Sequence, residues 1–139
     1  MKDIEIAKEL LQKEDYTLVV VKSGEILFTS RDKGIKPMYR LVKDMKEISI
    51  GASIADKVIG RGAALLSGYL RVKEVYGEVM SKEAVEVLEK DSIDYSFLTL
   101  CDYIKNRDRT GLCPIESLSL NKTDPIIFIE EVEEFFKSK

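Results

Sequence analysis

The feature that most constrains the fold is a run rich in β-branched residues, Tyr16 to Val21, followed closely by a second such run from Glu25 to Thr29. Gly24 lies in the short turn between them, where a positive φ is required, so the two runs predict a β-hairpin. The block Val19 to Val21 places apolar side chains on both faces of its strand. Such a strand is expected to be central, with other elements covering it above and below.

Helical and strand-like patterns continue on either side of this hairpin. Apolar residues at helical spacing predict a helix at Ile4 to Leu11 before it and another at Gly34 to Met45 after it. The remaining chain alternates between the two patterns. The predicted elements are a helix from Ser53 to Leu66, a strand from Val72 to Met80, a helix through Lys90 capped by Ser81, a strand from Tyr95 to Leu100, a short helix beginning at Cys101, a loop from Asp108 to Pro114, a short edge strand at Leu118 to Leu120 and a closing helix capped by Asp124.

This order of elements predicts an α/β protein. A hairpin joined to strand–helix–strand crossovers gives a mixed sheet with helices on both faces, which is a three-layer α/β/α sandwich. The 139 residues correspond to a single domain, residues 1–139, and the hydrophobic content of 45% is sufficient for a core.

Charge and residue usage disfavour several functional classes. The net charge of −3 lacks the basic excess of nucleic-acid-binding proteins. No apolar run is long enough for a membrane helix, and the N-terminus lacks the pattern of a signal peptide. The absence of histidine excludes an unaided Ser-His-Asp site and any His-ligated metal. Cys101 and Cys113 form no CxxC motif, so we expect reduced thiols in a cytoplasmic protein.

Two glycines interrupt the predicted helix from Ser53 to Leu66. Gly60 and Gly62 each cost helix propensity of about 1 kcal/mol, so their presence indicates that something approaches the backbone closely. A packed sheet is the favoured neighbour, and a ligand is the alternative.

Several motifs carry a resemblance to known proteins. The hairpin, the predicted helix opening at Ala55-Asp56, the strand ending at Val79-Met80 and the helix opening at Ser81 to Ala84 resemble the cytidine-deaminase-like fold. A small prokaryotic family, a domain of unknown function grouped structurally with the deaminases, is more closely similar. That similarity rests on the segment Ala55 to Gly60, the pair Asn106-Arg107 and the segment Cys113 to Glu116.

The resemblance implies where a deaminase would hold zinc. Deaminases use a His or Cys, a catalytic Glu and two further Cys at the N-termini of two helices. On this alignment Ile54 stands at the first ligand, Asp56 at the glutamate, and Ser81 and Ala84 near the two cysteines. Isoleucine and alanine cannot bind zinc, so the resemblance implies neither a metal cofactor nor deaminase activity. A metal site rebuilt from the remaining donors is disfavoured, and these donors are Cys101, Asp102, Cys113 and Glu116.

On the same scaffold, the N-termini of the two helices are expected to converge at one edge of the sheet. Helix N-termini favour an anion or a polar small molecule. In the predicted helix Lys57 and Arg61 share a face and could bind such a ligand, or could form a solvated flank. Asp56 either completes a capping box with Ser53 or contacts the ligand. The expected ligand-binding residues are Ser53, Asp56, Lys57, Arg61, Ser81, Asn106 and Arg107.

Three functions follow from these observations. The first is a metal-free protein that binds a small anionic or nucleotide-like ligand. The second is an interaction module that acts through a homodimer or through a partner protein, because the adjacent Phe135 and Phe136 cannot both face one core. The third is an enzyme that uses Cys113 or Asp56 as its reacting group, with a carboxylate or a lysine as the base.

Overall fold

A five-stranded sheet with six helices forms the part of the chain that the computed structural model describes, which comprises residues 1–104, 114–120 and 122–137. The elements follow in the order α1 (Asp3–Lys13), β1 (Leu18–Lys22), β2 (Glu25–Ser30), α2 (Lys36–Asp44), β3 (Ser53–Ile59), α3 (Arg61–Leu70), β4 (Glu74–Ser81), α4 (Lys82–Lys90), β5 (Asp94–Cys101), α5 (Pro114–Ser119) and α6 (Pro125–Lys137). Among these described residues, no helix combines the length and the apolar character needed to cross a membrane.

The sheet is mixed, with strand order β2-β1-β3-β4-β5. Strand β1 is antiparallel to both β2 and β3, whereas β3, β4 and β5 are parallel. The predicted hairpin is confirmed, since Ser23 and Gly24 have φ values of 52° and 79°, as a two-residue turn of this kind requires. Their amide groups donate to the Asp3 carboxylate at 2.9 Å each, which holds the turn against the start of α1.

Strand β1 shows how the layers are built. Leu18 and Val20 belong to a large core formed with α2, α3, α4 and α6, whereas Val19 and Val21 pack into a smaller core under α1. All four side chains are fully buried, so the prediction of a central strand covered on both faces is confirmed. The α/β class and the mixed sheet are confirmed with it.

The predicted helix from Ser53 to Leu66 is wrong in its first half. Residues Ser53–Ile59 form strand β3, and the helix begins only at Arg61, after Gly60 in an extended conformation. Because β3 lies inside the sheet and its first four residues are buried, it lacks the alternation that marks a half-exposed strand. The spacing of Ser53 and Asp56 imitated a capping box.

The C-terminal elements also differ from the prediction. Leu118 belongs to helix α5 and not to an edge strand, because an alternation this short does not define a period. Cys101 ends β5 and the next three residues are not helical; the rest of that predicted helix, and most of the predicted loop from Asp108 to Pro114, lie outside the described residues. The cap at Asp124 is confirmed, since its carboxylate accepts the Ile126 N–H at 2.9 Å.

The two glycines at the start of α3 do mark a close approach, although the sheet is not the neighbour. A Cβ at Gly62 would lie 2.6 Å from the Phe128 ring of α6. A Cβ at Gly60 would lie 2.8 Å from Ile104 and 2.9 Å from the Glu116 carboxylate. Helix α3 therefore lies between the sheet and the C-terminal helices, and the absence of two side chains lets these helices reach it.

The buried hydroxyl of Tyr76 provides a test of the packing in the smaller core under α1. Tyr76 is 1% exposed, and its hydroxyl has no hydrogen-bond partner in the described part of the chain. Because a buried unpaired hydroxyl is unfavourable, Tyr76→Phe should leave the free energy of unfolding unchanged or raise it by about 1 kcal/mol. Urea denaturation measures the change, with Tyr95→Phe as the control, whose exposed hydroxyl donates to Glu89 at 2.9 Å. A clear loss of stability in Tyr76→Phe would contradict the conclusion that the Tyr76 hydroxyl is unpaired.

Candidate functional site

The carboxyl ends of the three parallel strands form one edge of the sheet. Ile59 pairs with Met80, and Ser81 pairs with Cys101, so β3, β4 and β5 end side by side. Helices α3 and α4 begin directly after β3 and β4, and their N-termini therefore meet at this edge. The expected convergence of two helix N-termini is present, although the first helix begins at Arg61. Ligands of α/β proteins commonly lie outside such an edge.

An open cleft of about 380 Å³ lies at this edge, and its lining residues are Lys82, Leu100, Cys101, Asp102 and Tyr103. Small-molecule sites usually span about 300 to 1,000 Å³, so the cleft is large enough for a metabolite. A second cavity of about 150 Å³, between α3, α4 and the start of α6, falls below that range. We therefore take the larger cleft as the candidate site.

The cleft combines an ion pair with an apolar wall. The Lys82 ammonium lies 3.0 Å from the Asp102 carboxylate, and both side chains are more than half exposed. Leu100 and Tyr103 are 40% and 43% exposed, so both side chains present apolar surface to the cleft. Because an exposed ion pair stabilises a fold by at most about 1 kcal/mol, a ligand can replace its contacts at small cost. The cleft thus offers a ligand a hydrogen-bond donor in Lys82, an acceptor in Asp102 and an aromatic ring for stacking in Tyr103.

Ser81, a predicted ligand residue, is the last residue of β4 and precedes Lys82, but it does not itself line the cleft. Its hydroxyl accepts the Ala84 N–H at 3.1 Å, and the side chain is completely buried. The predicted N-cap of the helix from Ser81 to Lys90 is therefore confirmed. With its hydroxyl bound to the helix, Ser81 fixes the direction in which the amino end of α4 faces the edge.

Arg61 is engaged within the protein. Its Nε donates to the Ser119 carbonyl at 3.0 Å, one terminal nitrogen donates to Glu83 at 3.1 Å, and the other donates to the Lys122 carbonyl. The side chain is 8% exposed, so the guanidinium joins α3 to the end of α5. The expected helical pairing with Lys57 is wrong, because Lys57 lies in β3.

Glu116 is the most constrained carboxylate of this region. One oxygen accepts the Arg61 N–H at 2.9 Å and the other accepts the Ile104 N–H, while the side chain is only 2% exposed. Since the first N–H groups of a helix lack intrahelical partners, Glu116 caps α3 from a distant part of the chain. Its oxygens are thereby engaged, and within the described residues no three metal-binding side chains come together.

Asp56 lies in the middle of β3 and not at a helix start. Its Cα pairs with Leu18 in β1 and with Gly77 in β4, so it cannot complete a capping box with Ser53. The side chain is 8% exposed, and one oxygen accepts the Val58 N–H at 3.2 Å. Burial raises the pKa of this carboxyl to about 7, although hydrogen bonds from the backbone oppose the shift. Asp56 does not line the cleft.

The remaining predicted residues are dispersed or lie outside the described residues. Ser53 begins β3, six residues before Ile59, and is therefore about 20 Å from the candidate edge. The Lys57 ammonium lies 3.9 Å from Asp15, away from the cleft. Asn106, Arg107 and Cys113 lie outside the described residues. Their ligand roles, the homodimer and an enzyme based on Cys113 or Asp56 stay predictions.

None of the five lining residues belongs to the predicted ligand set, and the three on which the chemistry of the cleft rests are Lys82, Asp102 and Tyr103. Lys82 follows β4, and the other two follow β5, so all three come directly after a parallel strand. The sequence contained that signal, since both strands were predicted and ligands collect where parallel strands end. Because the predicted helix start at Ser53 is wrong, the predicted ligand set contains residues of β3 instead.

Comparison with protein families identifies the group to which this fold belongs. Residues 6–136 match the family model described as "TM1506: Domain of unknown function (DUF1893)". The chain belongs to this family. The crystal structure of a DUF1893 family protein (TM1506) from Thermotoga maritima is similar to the chain, with a TM-score of 0.87 and 26% identity, over 96% of this chain and 90% of that one. No curated protein matches the chain.

Removal of the Glu116 carboxylate tests whether its two hydrogen bonds, to the start of α3 and to Ile104, stabilise the fold. Glu116→Ala leaves two amide groups without their partner and opens a small cavity, so it should lower the free energy of unfolding by about 3 kcal/mol. Urea denaturation measures this loss. Glu130→Ala on the exposed face of α6 is the matched control and should change stability by less than about 0.5 kcal/mol. Equal effects of the two variants would refute the role of Glu116.

The buried carboxyl of Asp56 predicts a distinctive pH dependence. The pKa of Asp56 is raised from 3.8 to about 7 on folding, so between these values the folded protein holds a proton that the unfolded chain releases. The stability contributed by Asp56 is therefore full below about pH 4, falls as the pH rises to about 7 and is constant above that, with a total change of about 4 kcal/mol.

Asp56→Asn removes this titration. Unfolding of both proteins in urea from pH 4 to pH 8 should show the variant gaining stability relative to the unsubstituted protein as the pH rises. Parallel stability profiles for the two proteins would show that Asp56 is not held protonated.

Proposed function

We propose that the protein binds a small anionic or nucleotide-like metabolite in the cleft beside α4 and does not catalyse deamination. The observation that carries this proposal is the exposed Lys82–Asp102 ion pair, 3.0 Å apart, next to the exposed ring of Tyr103. In α/β proteins ligands bind outside the carboxyl ends of parallel strands, in pockets lined by apolar and aromatic side chains with a few polar groups. A cytoplasmic location is part of the proposal, since the sequence has only two cysteines and no CxxC motif.

A cytidine-deaminase-like scaffold is also part of this proposal, supported by a mixed sheet whose parallel strands are followed by helices that begin at one edge. The zinc chemistry of such enzymes requires Cys or His side chains at helix N-termini. Helices α2, α3 and α4 begin at Lys36, Arg61 and Lys82, and their first turns contain neither residue type. The chain contains no histidine at all. These residues do not fit a zinc ion.

The lining residues indicate how a ligand would be held. The Lys82 ammonium donates hydrogen bonds, the Asp102 carboxylate accepts them, and the Tyr103 ring offers a face on which a planar group can stack. The amino end of α4 adds a partial positive charge beside Lys82. These contacts suit a molecule that has both polar substituents and a flat ring.

Thermal denaturation with a panel of nucleosides, nucleotides and small carboxylates tests the proposal. A compound present at 100 times its Kd should stabilise the protein by about 2.7 kcal/mol, which raises the melting temperature by several degrees. Tyr103→Ala should abolish this rise. Leu98→Ala is the matched control, because Leu98 is 69% exposed on β5, the strand that precedes Tyr103, and does not line the cleft.

Two results would overturn the proposed function. One is a panel in which no compound raises the melting temperature of the unsubstituted protein. The other is a rise that is fully retained in Tyr103→Ala, since the ligand would then bind elsewhere.

A further inference from the structure

The only cation that lines the described part of the cleft is compensated by a carboxylate. Lys82 is the first residue of α4, and Asp102 is the first residue after β5. Because Ser81 and Cys101 pair across the parallel strands, the two following residues come side by side, and their charged atoms lie 3.0 Å apart. The parallel register therefore brings the two charges together.

The nearest acid on α4 does not take part in this compensation. Glu83, which follows Lys82, accepts from the Arg61 guanidinium at 3.1 Å, so its charge is paired on the other side of the helix. Leu100 and Tyr103 bring apolar surface to the cleft. An oxyanion that reaches the Lys82 ammonium must consequently approach the Asp102 carboxylate, which repels it.

We propose that Asp102 is a specificity-determining residue that makes the cleft reject simple oxyanions and select an uncharged planar ring. Such a ring carries a hydrogen-bond acceptor for Lys82 and a neighbouring donor for Asp102, and it stacks against Tyr103. This inference rests on the proposed function and narrows its ligand class: of the anionic and nucleotide-like ligands proposed above, it keeps only the nucleotide-like ones and has the cleft recognise them by their uncharged ring. A lysine at a helix N-terminus without the carboxylate would instead favour phosphate groups.

Titration with two probes of opposite character tests the role of Asp102. Inorganic pyrophosphate represents the oxyanions, and adenosine represents uncharged rings with adjacent donor and acceptor groups. Binding is followed by NMR at the amide signals of Lys82 and Tyr103. On Asp102→Asn, the Kd for pyrophosphate should fall about fivefold and the Kd for adenosine should rise about fivefold, as expected for loss of an exposed charge contact.

Asp94→Asn is the matched control, because Asp94 is an exposed acid at the opposite end of β5 and its substitution changes the net charge equally. Both probes should bind this variant as they bind the unsubstituted protein. If Asp102 had only a structural role, its substitution would change the Kd for pyrophosphate and the Kd for adenosine in the same direction. The opposite shifts are therefore the signature of specificity.

The proposal for Asp102 is overturned if pyrophosphate binds Asp102→Asn no more tightly than the unsubstituted protein, including the case in which neither binds it. If adenosine does not bind while other compounds give Tyr103-dependent stabilisation, the selection of such a ring is wrong and the proposed function stands. If no compound gives that stabilisation, the proposed function fails, and the pyrophosphate titration still decides whether Asp102 repels oxyanions.

Discussion

The double hydrogen bond of the Glu116 carboxylate is the contact on which the candidate edge depends. It joins the first N–H of α3 to the N–H of Ile104, and these groups belong to segments far apart in the sequence. A buried carboxylate that accepts two amide hydrogens at a helix N-terminus is held by charge-assisted bonds and by the helix dipole. Through this one side chain, α5 fixes the segment that follows β5.

The Arg61 side chain adds a second set of hydrogen bonds between α3 and α5, in which the side chain belongs to α3. Its guanidinium donates to carbonyl groups at and just after the end of α5, while its own N–H is bound by Glu116. The absence of side chains at Gly60 and Gly62 allows Glu116 and Phe128 to come this close to α3. The helices α5 and α6 are therefore attached to α3 by polar contacts and close packing together.

This arrangement separates two sets of charges at the edge. Arg61, Glu83 and Glu116 form a buried or partly buried network that serves the fold. Lys82 and Asp102 remain exposed on the cleft. Because the first set is already satisfied within the protein, only the second can exchange its contacts for those of a ligand without leaving a buried charge unpaired.

How far the sequence predicted the structure depended on how each segment is buried. The hairpin, the helix around Met38 and the cap at Ser81 were predicted correctly, because each has a local signature in turn residues, amphipathic spacing or an N-cap. Strand β3 was mistaken for a helix, because a strand buried on both faces has no alternation to detect. The prediction treats Arg61 as a ligand residue, because its partners in the protein, Glu116 and Lys122, lie 55 and 61 residues away in the sequence. Local residue spacing gives no sign of such distant partners.

The sequence by itself determined the α/β class, the hairpin and the absence of histidine, because these follow from local patterns and from residue types. Only the tertiary structure decided which polar residues meet. The Lys82–Asp102 pair exists because β4 and β5 are parallel and in register, and Glu116 reaches α3 because two glycines leave room for it. Contacts between distant segments depend on strand register and packing, which residue spacing along the chain does not encode.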